Sequence, residues 1–96
     1  HLIEFHPSAI DETRAARLWY ASSSELVAQR FMNALDQGIE RLSETPQRFP
    51  VYRFDTRRYL LRGFPFILYY RELPNRVQVI AVAHAKRKPG YWRDRT

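Results

Sequence analysis

The chain has 96 residues, a formal charge of +6, 45% hydrophobic residues and 15% aromatics. That balance fits one domain with a modest core and excludes a disordered polypeptide. Cysteine is absent, which excludes disulfides, thiolate chemistry and cysteine-bound zinc and is compatible with a reducing cytoplasm.

The charge is unevenly placed. Residues 1–50 carry five arginines against seven carboxylates, whereas residues 51–96 carry eleven Lys or Arg against three. A basic field concentrated in the second half attracts phosphate backbones or an acidic protein segment. The longest apolar run, Phe64 to Tyr70, is too short to span a bilayer, so no membrane partner is expected.

Leu2 to Phe5 reads as a short strand that Pro7 ends. Ser8, with Asp11 three residues on, is placed to cap a helix predicted over residues 8–20, with Ala9, Thr13, Ala16 and Tyr20 on one face. The serines at 22–24 interrupt it, and any of them can cap the next helix. That helix is predicted over residues 25–43, where Ala28, Phe31, Leu35, Ile39 and Leu42 form an apolar stripe at helical spacing. Gly38 inside it costs about 1 kcal/mol of helix propensity, which points to close packing there. Thr45-Pro46 stops the helix.

The period then changes. Residues 57–62 alternate, with Tyr59 and Leu61 on one face and Arg58, Leu60 and Arg62 on the other. Gly63 turns the chain into residues 66–70, and Pro74-Asn75 turns it again into residues 77–84. Both runs are apolar on both faces, as central strands are. The expected architecture is a single α+β domain, 1–96: a strand, an antiparallel helix pair, an antiparallel three-stranded meander and a basic tail from Ala85. The first strand is expected at one edge of the sheet.

Taken in order, these features resemble the RelE/ParE toxin superfamily, and more closely its ParE-like branch. The resemblance rests on Pro7, Ala9 and Glu12 at the head of the first helix and on the run from Ala28 to Pro46. It rests most on Phe64-Pro65-Phe66-Ile67-Leu68-Tyr69-Tyr70 and on Ile80 to Pro89 with its His84 and Arg87, followed by Tyr91-Trp92 and Arg95. It implies the toxin half of a type II toxin–antitoxin pair, a hetero-oligomer with a cognate antitoxin that carries an acidic, amphipathic segment. It also implies one of two targets: DNA gyrase, bound without catalysis, or ribosome-bound mRNA, which is cleaved. A third reading is an inactive member that only assembles with its antitoxin.

Metal-free RNA cleavage requires a proton acceptor, cations for the phosphorane and a proton donor. His84, Arg87, Tyr91 and Arg62 are the residues available for it. His84 reads better as an anchor for the tail, because it belongs to the ParE-like ending. Arg87 either meets an anion or pairs with Asp94. Tyr91 and Trp92 either stack on a ligand or pin the tail to the core. For target binding the expected surface comprises Arg58, Arg62, Lys86, Arg87, Tyr91, Trp92 and Arg95. For the antitoxin it comprises Trp19, Tyr20, Phe31, Leu35 and Leu60. No carboxylate dyad or metal-ligand spacing appears, and neither metal nor cofactor is expected.

Overall fold

The change of period near residue 45 is where helix gives way to sheet in the computed structural model, which describes residues 1–96. Strand β1 (Leu2–Phe5) precedes helices α1 (Pro7–Ala21) and α2 (Glu25–Glu44). A 3-10 turn at Pro46–Arg48 leads through a loop to strands β2 (Arg57–Leu60), β3 (Phe66–Leu73) and β4 (Arg76–His84). A second 3-10 turn, Arg93–Arg95, lies in the basic tail. The class is α+β, as the order of periods implies.

Local chemistry explains the boundaries, with two corrections. Helix α1 starts at Pro7, whose fixed φ suits the first helical position and whose missing N–H would have had no partner there. Its cap is His6, whose Nδ1 accepts from the Ser8 amide at 3.0 Å, so the expected Ser8–Asp11 cap is not the one used. Helix α2 is capped by the last of the three serines, Ser24, whose Oγ accepts from the Val27 amide at 3.3 Å. Strand β2 stops at Leu60, so Arg62 lies in the turn rather than on a strand. The alternation nevertheless persists, with Leu61 buried and Arg62 exposed.

The sheet order is β1-β4-β3-β2. β2, β3 and β4 pair antiparallel, and β1 pairs parallel with β4. The expected edge position of β1 is therefore found. β1 is short, however, and covers only Arg76 to Val79 of β4. A bulge lies opposite the Tyr69/Tyr70 step, where Tyr69 faces Ala81 and Tyr70 faces Val79. Ile80 is the extra residue, and Ile80 and Ala81 join the same cluster.

Apolar residues cover both faces of the sheet. On one, Tyr59, Leu68, Tyr70, Val77, Val79 and Val82 meet Ala9, Ala16, Phe31, Leu35 and Leu42 of the helices. Gly38 allows this approach: a Cβ there would stand 2.9 Å from Tyr59 Cε1 and 3.2 Å from Leu68 Cδ1. Tyr20 and Phe31 add edge-on contacts to Phe64 and Phe66, with centroids 5.2–6.2 Å apart. Tyr70 also reaches through this layer to donate its hydroxyl to the Pro46 carbonyl at 2.6 Å, and burial pushes its pKa up to about 12. On the opposite face, Ile67, Tyr69, Ile80, Ala81 and Ala83 are covered by Trp92. No helix is long and apolar enough to cross a membrane.

Candidate functional site

Beyond Val79, the edge of β4 that faces away from β3 has no strand beside it, so the polar backbone on that side needs other partners. Glu12 of α1 and Arg95 of the tail supply them. Glu12 Oε1 accepts from the Val82 amide at 3.0 Å, and Arg95 donates to the Ile80 carbonyl at 3.1 Å. The two side chains then pair with each other through contacts of 2.9 and 3.1 Å. The Tyr91 hydroxyl donates to the other Glu12 oxygen at 2.6 Å. Arg87 stands 3.6 Å from that oxygen, with its guanidinium 3.7 Å above the Tyr91 ring. One carboxylate, only 14% exposed, thus organises the tail, and its four accepted bonds use the full acceptor capacity of the group.

This arrangement sets the protonation of its members. Burial, and then the hydrogen bond to Glu12 and its charge, raise the Tyr91 pKa well above that of a free tyrosine. For Arg95, burial works downward, but the Glu12 hydrogen bond and charge more than offset it and the pKa is raised. Both groups keep their protons at neutral pH.

The residues expected at a ribonuclease centre are not brought to one point. Arg87 and Tyr91 meet on Glu12, with the Tyr91 proton already donated. Arg62 instead lines a polar cleft with Arg41, Arg48 and Glu44. His84 packs its ring edge-on to Phe66 at 5.3 Å, and its Nδ1 accepts from the Lys86 amide at 3.1 Å. That is an anchoring contact at the start of the tail.

Of the two readings of Arg87, pairing with Asp94 is not the one found: its acidic neighbour is Glu12. Trp92 is fully buried against Tyr69, with centroids 4.7 Å apart. It is part of the core and presents no surface to a target. Of the other target-binding candidates, Arg62 and Lys86 are exposed, Arg58 is half-buried with its guanidinium 4.5 Å over the Tyr52 ring, and Arg95 is committed to Glu12.

The antitoxin candidates divide in the same way. Phe31 is fully buried and Tyr20 half-buried among aromatic rings, so both belong mainly to the core. Trp19 and Leu60 are 73% and 64% exposed, on α1 and on the outer strand β2. Leu35 is nearly buried and forms part of an open groove between the two helices. The groove is lined by Phe5, Ile10, Met32 and Ile39, with Arg14 and Asp36 beside them. Ile10 falls off the apolar stripe of α1, whereas Met32, four residues after Ala28 and three before Leu35, widens that of α2. Glu12 was hidden, because its partners lie 70 to 83 positions away.

Residues 3–89 match the family model described as ParE toxin of type II toxin–antitoxin system, parDE. The chain belongs to the ParE toxin family. The fold of this family member is similar to a solved chain titled "Chromosomal ParDE TA system from P. aeruginosa". The TM-score is 0.67 at 14% identity, over 88% of this chain and 96% of that one. Among curated proteins none matches by sequence. The resemblance carried by the Phe64–Tyr70 and Ile80–Pro89 segments is thus supported both by the family match and by the fold.

Proposed function

We propose that this ParE-family toxin inhibits DNA gyrase by binding it, and that a cognate antitoxin neutralises it by laying an amphipathic segment in the α1–α2 groove. The groove is the observation that carries the antitoxin part. Five of its eight lining residues are apolar, and a cation and an anion, Arg14 and Asp36, stand at its side. These are the features of a helix-in-groove receptor, in which apolar anchors supply lifetime and rim charges supply orientation.

Gyrase is favoured over mRNA by family membership and by the state of the tail. Tyr91, which RNA cleavage would need free, has its hydroxyl committed to Glu12, and Arg87 lies over the Tyr91 ring. A hydroxyl held this way, with a raised pKa, is a poor proton acceptor at neutral pH.

The test uses purified gyrase and plasmid DNA. The wild-type chain is expected to block supercoiling and to accumulate cleaved plasmid, and the co-purified antitoxin to reverse both. An Ile10→Lys variant is expected to inhibit gyrase as before but to resist the antitoxin by at least tenfold. Unimpaired supercoiling at excess toxin, together with new breaks at ribosomal A sites in a translation extract, overturns the gyrase reading in favour of the ribonuclease.

A further inference from the structure

The loop between the 3-10 turn and β2 contains a feature that neither the core nor the antitoxin groove uses. Phe54 and Asp55 both adopt left-handed backbone, with φ of 58° and 63°. Two consecutive non-glycine residues in that region cost on the order of 1 kcal/mol or more each, and such strain persists only where the surroundings impose it. Here it does not serve to bury the ring, which stays 43% exposed. The ring rests edge-on against Trp92, with centroids 5.7 Å apart. Its other neighbour is Gly90, itself at φ 87°, where a Cβ would stand 3.1 Å from Phe54 Cε2. Phe54 is therefore a fixed aromatic surface, held open at the mouth of a cleft.

That cleft, about 410 Å³, is lined by Arg53, Lys88 and Arg93 with one carboxylate, Asp94. None of the three cations forms an ion pair. The Arg93 guanidinium lies 5.7 Å from the Phe54 ring, and those of Arg53 and Arg58 lie 5.6 and 4.5 Å from the Tyr52 ring. Beneath them the rings of Tyr52, Tyr69, Trp92 and Phe54 form a continuous row, with successive centroids 5.7, 4.7 and 5.7 Å apart.

We propose that this cleft binds single-stranded nucleic acid, with a base stacked on Phe54 and the flanking phosphates on Arg53, Lys88 and Arg93. Stacking on a rigid ring and charge along the backbone are the two elements of sequence-tolerant single-strand recognition. An acidic peptide would satisfy the cations but has no use for an exposed ring held in strained backbone. A duplex hides its base faces from Phe54. The site is separate from the antitoxin groove, and its test needs neither gyrase nor antitoxin.

The chain has two tryptophans, Trp19 and Trp92. A Trp19→Phe background leaves Trp92, which touches Phe54, as the only indole reporter. Titration with a twelve-nucleotide oligo-dT is expected to change Trp92 emission saturably. Log affinity should fall with log salt at a slope near −2, as three cations on a single strand imply. Phe54→Ser is expected to weaken binding at least tenfold with the salt slope kept. Arg93→Glu with Lys88→Glu, both at exposed positions, is expected to flatten the slope and leave the melting temperature within a few degrees. The proposal is overturned if oligo-dT does not bind, if a duplex or an acidic peptide binds as well or better, or if both variants bind as the parent does.

Discussion

The two faces of the sheet are built from the same alternating strands but are covered by different means. On the helix face the cover is periodic: Phe31, Leu35 and Leu42 of α2, with Ala9 and Ala16 of α1, press onto Leu68, Tyr70 and Val79. On the opposite face the cover is a tail with no period. It is held by one buried ring, Trp92, and by polar contacts that converge on Glu12. Area of contact secures the first face, whereas a single carboxylate secures the second. Damage to the first should therefore be global, and damage to the second local.

The largest effect is expected from Phe31→Ala. Its ring is fully buried and touches Tyr20, Phe64 and Phe66, so truncation should cost about 3–5 kcal/mol. In the Trp19→Phe background, denaturant unfolding should show helix signal and Trp92 emission lost together at a lower midpoint. If Trp92 stays native while the helices melt, the two faces are less coupled than a shared sheet requires.

Glu12→Ala should cost less, about 2–3 kcal/mol, because it leaves the Val82 amide, the Tyr91 hydroxyl and Arg95 without their acceptor. Its signature is the order of events. In the Trp19→Phe background, acrylamide should reach Trp92 before the helical signal falls. Simultaneous loss would mean that the tail and the helices form one cooperative unit.

The smallest effect is a pH dependence that both faces share. Each holds a tyrosine whose pKa lies above its unfolded value of 10: Tyr70 on the Pro46 carbonyl, at about 12, and Tyr91 on Glu12. A raised folded-state pKa means that the fold favours the neutral phenol. The stability it brings is complete below pH 10 and is lost as pH rises through the folded-state value. Melting temperature should therefore drop steeply above pH 10. Tyr91→Phe should reduce that slope and leave the remainder to Tyr70, with Tyr20 and Tyr69, whose pKa values burial also raises; an unchanged slope would remove Tyr91 from the account.

The same contrast explains what the sequence discloses. The stripe from Ala28 to Leu42, a cap among the serines at 22–24 and the tight approach at Gly38 are local matters of spacing and size, and each is visible along the chain. The alternation of Tyr59 and Leu61 with Leu60 and Arg62 survives even where the ladder ends. The network on Glu12 leaves no such trace, because its partners Val82, Tyr91 and Arg95 lie 70 to 83 positions away. For Trp92 and Tyr91 the sequence favours pinning over stacking, and the position of the tail against the sheet shows Trp92 in the core. The bulge at Ile80 places two adjacent apolar residues in one cluster, so a strand apolar on both faces gives no sign of it. Phe54 carries no mark in the sequence, because backbone dihedrals, not residue type, make its ring conspicuous.

The parallel seating of β1 beside β4 has a consequence for how the protein is made. Glu4 and Gln78, partners across that pair, are 74 positions apart. The first strand therefore leaves the ribosome long before its neighbour exists, and β2, β3 and β4 can zip together through short turns while β1 still waits. Until it docks, β4 presents an open border that the β1 of another copy fits equally well. Crowded refolding should thus yield strand-exchanged pairs, and dilution should favour the monomer.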